Sequence, residues 1–94
     1  MRAVIRSTRV LVAGTAQRIA RARGNTLLVS VSALEAGREA AIGGPDVTLA
    51  QGWPLGNYAT PPITVRAGEE LWCIATAAKP VTVCVLTSDG SGTP

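Results

Sequence analysis

Apolar and polar residues alternate along this chain in short runs, and Gly or Pro breaks the pattern every few residues. The densest pair of runs lies in Glu70–Leu86, Glu-Leu-Trp-Cys-Ile-Ala-Thr-Ala-Ala-Lys-Pro-Val-Thr-Val-Cys-Val-Leu. It predicts a β-hairpin with arms Leu71–Thr76 and Val81–Leu86. The second arm is dominated by β-branched residues, which suit a pleated, half-buried surface. Ala77-Ala78-Lys79-Pro80 forms the connection, with Pro80 opening the returning strand, where its missing N–H is tolerated. A turn centred between Ala78 and Lys79 sets Thr76 opposite Val81, Ile74 opposite Val83, Trp72 opposite Val85 and Cys73 opposite Cys84. Alternation then gives a bulky face of Trp72, Ile74, Val81, Val83 and Val85, expected to be the core face. Leu71, Cys73, Ala75, Thr82, Cys84 and Leu86 make a smaller face, expected to be thinly covered.

The remaining runs are shorter. Thr8–Ala13 reads as a strand with Val10 and Val12 on one face and Arg9 and Leu11 on the other. Gln17–Arg23, where Ile19 is the only large apolar residue, is expected to be an edge strand. Asn25–Ser32 is the clearest central strand, with Leu27, Val29 and Val31 inward and polar residues plus Leu28 outward. Ala40–Ile42 and Ile63–Arg66 are short strands. Between them, Gly43–Leu55 is a loop in which Asp46 is expected to start one helical turn through Val47, Thr48 and Leu49, ended by Gly52. Trp53 and Leu55 are expected to pin this loop to the core, so Trp53→Ala should cost about 3–5 kcal/mol. Tyr58 is a candidate surface contact. About seven short strands with Gly and Pro punctuation predict an all-β fold, a small antiparallel β-sandwich or barrel that is jelly-roll-like. Residues 1–94 form one domain, with a basic N-terminal arm (1–7) and a flexible polar tail (88–94).

Composition sharpens this picture. The chain has 94 residues, no Phe and only Trp53, Trp72 and Tyr58 as aromatics. A core of Val, Ile, Leu and Ala is thin for a lone monomer of this size, which raises the expectation of an oligomer or a host surface. No apolar run reaches the ~20 residues of a membrane span. Arginines interrupt the N-terminal residues in a way that argues against a secretory signal. Charge is segregated. Residues 1–24 carry six arginines and no acid, and the rest of the chain is net −3. Such an arm suits an acidic partner surface, with Arg2, Arg6 and Arg9 nearest the contact. A solvated edge guarded against aggregation accounts for it equally well. No aromatic accompanies the arginines, so specific nucleic-acid binding is not expected.

The residues offer little catalytic chemistry. With no histidine, Ser–His and Cys–His nucleophile pairs are impossible. Two cysteines cannot make the usual zinc site, and no phosphate-binding glycine pattern occurs. We therefore expect no enzyme activity, cofactor or metal. In the hairpin register, Cys73 and Cys84 would have Cβ atoms about 4.5–5.5 Å apart, compatible with a disulfide. Two reduced cysteines under cover suit a chain made in a reducing cytosol better.

Ile42–Thr48 (Ile-Gly-Gly-Pro-Asp-Val-Thr), Gly52-Trp53-Pro54-Leu55, Gly68–Ala75 and Val81–Leu86 resemble segments of small all-β virion proteins of tailed bacteriophages, especially those of actinobacterial hosts. The resemblance covers about half the chain, from Ile42 onward. It implies a structural role, above all capsid decoration or cementing on the outer head surface. The expected partner is the major capsid protein, the expected location the virion after synthesis in the host cytoplasm, and the favoured assembly a homotrimer. The alternative is a carbohydrate- or receptor-binding module of a tail or head appendage, with Trp53 and Tyr58 stacking on a sugar ring. Burial of Trp53 would favour the first reading, and its exposure the second.

Overall fold

The computed structural model describes residues 5–24, 26–35, 37–56 and 58–89. Arg2 and residues 90–94 of the expected tail lie outside these. Eight strands are present among the described residues: β1 (Ile5–Val12), β2 (Gln17–Arg21), β3 (Leu27–Ala33), β4 (Ala40–Gly43), β5 (Trp53–Pro54), β6 (Ile63–Val65), β7 (Glu70–Ala75) and β8 (Val81–Asp89). They form a front sheet in the order β1-β8-β3-β6 and a back sheet in the order β2-β7-β4-β5. The antiparallel pairs β1·β8, β2·β7, β3·β6 and β4·β5 are those of one long hairpin whose tip is β4–β5. Rolling that hairpin adds the pairs β3·β8 and β4·β7 and closes two facing sheets. This is the jelly-roll arrangement, in which two Greek keys share one interior.

The sequence-predicted hairpin is absent. β7 lies in the back sheet between β2 and β4, and β8 lies in the front sheet between β1 and β3, so neither has a free side for the other. The physical cause is local. Ala77-Ala78-Lys79 contains neither Gly nor Asn, the residues that the tight primed hairpin turns demand. The chain instead bends at Thr76, whose Oγ1 accepts the Lys79 N–H at 3.1 Å. The Arg38 guanidinium donates to the Pro80 carbonyl at 2.6 Å and holds the far side of the arch.

This change inverts one of the expected faces. In β8, Val81, Val83 and Val85 face inward as expected. In β7, Leu71, Cys73 and Ala75 are buried, while Trp72 and Ile74 face outward and are half-buried. The interior is aliphatic: Val12, Val29, Val31, Val81, Val83, Val85 and Cys73 are its largest fully buried side chains. The basic segment is shorter than expected, because β1 starts at Ile5 and pairs Ile5–Ser7 with Leu86–Ser88. Ser88 and Asp89 likewise belong to β8 rather than to the tail.

The Gly43–Leu55 loop folds over the outer side of the back sheet. Ile42 and Cys73 form an inward pair, so the neighbouring pair Ala41–Ile74 points outward. Gly52 lies against Ala41, and Val47 packs on Gly43 and Gly52. The expected helical turn is displaced by two residues. Thr48, not Asp46, caps it: its Oγ1 accepts the Gln51 N–H at 3.2 Å and its carbonyl accepts the Gly52 N–H at 2.8 Å. At the β6–β7 turn, Gly68 has φ +88°, the conformation that L side chains avoid. The Glu69 carboxylate accepts the Arg66 N–H across this turn at 2.8 Å.

Candidate functional site

Three surfaces carry the groups that could recognise a partner. The first is the outer face of the front sheet. Register places its residues in rows: Ile5, Ser88 and Leu28; Ser7, Leu86 and Ser30; Arg9, Cys84 and Ser32. Leu11 continues the pattern opposite Thr82, and the Leu34 N–H donates to the Thr82 carbonyl at 2.9 Å on the other flank. Ile5, Leu11, Leu28, Leu34 and Leu86 are all exposed here. Rows lie ~7 Å apart and strands ~4.8 Å apart, so Ile5, Leu11, Leu28 and Leu86 sit on one rigid lattice, with Leu34 one residue past the end of β3. The sequence carried a signal for this surface, because β1 has Ile5 and Leu11 on its outer face as well as Val10 and Val12 on its inner one. Arg6 and Arg9 between them obscure it in the sequence.

The second surface is a lateral edge. β1 touches β7 and β2 touches β8 across the interior, so β1 and β2 border the same side of the sandwich. Arg6, Arg9, Arg18 and Arg21 lie on these two strands, and all are exposed. The structure does not bring Arg6 and Arg9 together. Arg9 shares the outer face with Ile5 and Leu11, whereas Arg6 lies on the opposite face with Thr8 and Val10. Arg18 and Arg21 are engaged within the fold: Arg18 Nη1 lies 3.2 Å and Arg21 Nε 3.6 Å from Glu70 Oε2. Glu70 also accepts the Trp72 indole N–H at 3.0 Å. That hydrogen bond, and then the two guanidinium groups, hold its carboxyl below the usual range.

The third surface is the opposite edge, where β5 and β6 leave the sandwich open. A groove of about 400 Å³ lies there, lined by Ile42, Trp53, Pro61, Pro62, Ile63 and Leu71, with Gly43 and Thr60. Thr60 Oγ1 accepts the Val31 N–H at 3.0 Å, which fixes the groove's floor to β3. A second hollow of about 450 Å³ adjoins it through Gly43, Ile63 and Leu71 and ends at Glu69 and Glu70. Trp53 pairs with Ile42 on the two-residue edge strand β5, so it faces the groove but remains 66% exposed. The expectation that Trp53 packs on the domain is thus corrected: among the described residues no strand lies beyond β5 to cover it. Leu55 is buried as expected, and its N–H donates to the Ala40 carbonyl at 3.0 Å. Tyr58 is 74% exposed, with its ring close against Gly56.

The cysteines are both free. Cys73 faces the interior from the back sheet, and Cys84 faces outward from the front sheet, so the cross-strand disulfide considered for a hairpin has no geometry here. Burial pushes the Cys73 thiol up to about 11. Among the described residues, no three of His, Cys, Asp and Glu gather in a metal-binding cluster. Compared with known proteins, the chain matches no family model, no curated protein and no solved structure.

Proposed function

We propose that this protein is a structural component of a bacteriophage virion, a decoration protein on the outer surface of the head. The observation that carries the reading is the outer face of the front sheet. Ile5, Leu11, Leu28 and Leu86 on one rigid sheet, with Leu34 just past the end of β3, expose aliphatic side chains among serines, Thr82 and Arg9, and such a concentration of exposed apolar residues suits a contact surface. Covering them against the major capsid protein stabilises the shell by about 25 cal/mol per Å² of apolar surface removed from water. The jelly roll is compatible with this role, as viral capsid domains use it, although a fold alone does not assign a function. The sequence-based expectation of a trimer is not needed for this role, which requires only that each copy covers apolar surface on the shell. The test is quantitative mass spectrometry of purified particles. The proposal requires this protein at a copy number comparable to that of the major capsid protein, and its absence from particles ends it.

One observation favours a second reading, a carbohydrate- or receptor-binding module of a phage appendage. Trp53, whose burial the structural role anticipates, is exposed beside an apolar groove. An exposed indole offers a flat platform for a sugar ring. Lectin domains also use the jelly roll. Glycan-array binding that Trp53→Ala abolishes, with the fold intact, would establish this second role in place of the first.

A further inference from the structure

Four strands border the two sheets, and three of them are blunted in ways that prevent edge pairing. β5 has two residues, one of them Pro54. β6 has three residues. β2 carries an irregularity between Arg18 and Ala20. β1 is different. It runs for eight residues without proline, and its register with β8 is unbroken from Ile5 to Val12. One side of its backbone is paired with β8, and the other side has no neighbouring strand among the described residues.

We propose that β1 is a self-association edge. Two copies pair antiparallel through β1 about a twofold axis at Thr8 and join their front sheets into one eight-stranded sheet. The occupant follows from parity and charge. A continuous sheet must keep outward residues (Ile5, Ser7, Arg9, Leu11) opposite outward residues, and inward ones (Arg6, Thr8, Val10, Val12) opposite inward ones. Four axis positions meet that condition with five or more residues paired, and the one at Val10 pairs only Thr8 through Val12 and places Arg9 against Leu11. An axis at Arg9 sets two guanidinium groups face to face, which is destabilising. An axis at Ser7 pairs only Ile5 through Arg9 and places Ile5 against Arg9. An axis at Thr8 pairs Ile5 through Leu11 and sets no like charges directly opposite. It places Ile5 against Leu11 of the second copy, Arg6 against Val10, Ser7 against Arg9, and Thr8 against Thr8. Ile5 and Leu11 are 68% and 63% exposed in the single chain. In the pair each covers the other, and the Arg6 stem lies along Val10.

The inference rests on the edge geometry and stands apart from the virion reading. It replaces the expected threefold assembly with a twofold one, since a cyclic trimer needs a head-to-tail contact. The test is sedimentation equilibrium from about 5 to about 500 µM, the range in which small interfaces associate. A reversible monomer–dimer equilibrium is expected. Ile5→Lys and Leu11→Glu, both at exposed positions, should each weaken dimerisation by about tenfold, because each change is counted twice across the axis. The double variant should recover most of the loss, as its introduced opposite charges face each other. In a Cys84→Ser background, mild oxidation should cross-link Thr8→Cys and leave Arg6→Cys monomeric. A monomer at every concentration, a mass of three chains, or a double variant as weak as the single variants would each overturn the proposal.

Discussion

Gly52 lies directly against Ala41: a Cβ at position 52 would fall 2.6 Å from the Ala41 Cβ and 2.7 Å from Val47 Cγ2. This contact decides how the long loop is held. The loop closes over the outer face of β4 because its residue at the crossing has no side chain and the strand residue beneath has only a methyl. Gly52→Ala should therefore force the loop off the back sheet and destabilise the protein by about 1–3 kcal/mol, as overpacking does. Chemical denaturation measures it. An unchanged midpoint would mean that the loop is not seated on Ala41.

The two other loop residues should separate cleanly. Leu55 is buried in the main core, so Leu55→Ala should cost about 2–5 kcal/mol. Trp53 is largely exposed, so Trp53→Ala should stay within about 0.5 kcal/mol of the wild type. A large loss of stability at Trp53 would show that the indole packs on the domain after all.

How much of this was legible in the sequence depends on which residues lie close along the chain. The faces of β3 were readable because Leu27, Val29 and Val31 alternate with Leu28, Ser30 and Ser32, and period-two burial is local. The partners of β7 and β8 were not. Val81, Val83 and Val85 alternate in the same way whether the chain makes a hairpin or an arch between sheets, and only the absence of Gly or Asn at the turn hinted at the arch. β5 escaped because two residues carry no period. The groove was invisible for a related reason: Ile42, Trp53, Pro62 and Leu71 meet only once the jelly roll has closed. Trp53 stands out in the sequence as one of three aromatic residues, but its exposure depends on which strand ends the sheet.

The two thiols should react at very different rates. Cys84 is half-buried on the outer face of the front sheet, and Cys73 is fully buried. A disulfide reagent at pH 8 should modify one thiol quickly and the second only on unfolding. Cys84→Ser should remove the fast phase. The Cys73 thiol also sets an alkaline limit, since its ordinary value of 9.0 applies to the unfolded chain and about 11 to the folded one. Because only the unfolded chain ionises in that window, its contribution is present below pH 9 and lost as pH rises toward 11. Two fast thiols in the native protein would contradict the burial of Cys73.

Acid should act through Glu35 and Glu70. The Glu35 carboxylate accepts the Thr82 N–H at 2.6 Å, and this hydrogen bond is the main cause that holds its pKa below the ordinary 4.5. The Trp72 indole does the same for Glu70, helped by Arg18 and Arg21. Both folded values are depressed. The stabilisation they confer is therefore complete above pH 4.5 and is lost as pH falls through the folded values. The melting temperature should hold from neutrality to about pH 5 and then decline. Glu35→Gln with Glu70→Gln should flatten that decline, and an equally steep decline in the double variant would assign acid sensitivity to other groups.

The basic strand supplies the test that bears most directly on attachment to a shell. Arg9 lies among Ile5, Leu11 and Cys84 on the outer face, and Arg6 points to the other side of β1. A flat acidic surface that covers the apolar lattice reaches Arg9 and not Arg6. Arginine suits such a contact because its planar fork holds a carboxylate through two hydrogen bonds. An exposed pair contributes only about 0–1 kcal/mol, so Arg9 should tune attachment while apolar burial supplies most of it. Truncating residues 1–7 would be a poor probe, because it removes the β1 pairs of Ile5, Arg6 and Ser7 with β8. Single substitutions avoid that loss. Arg9→Gln should weaken binding to capsid shells by up to about fivefold and reduce its salt dependence. Arg6→Gln should leave both unchanged. Equal behaviour of the two variants would place the contact elsewhere than on the outer face of the front sheet, and leave β1 a charged, solvated edge.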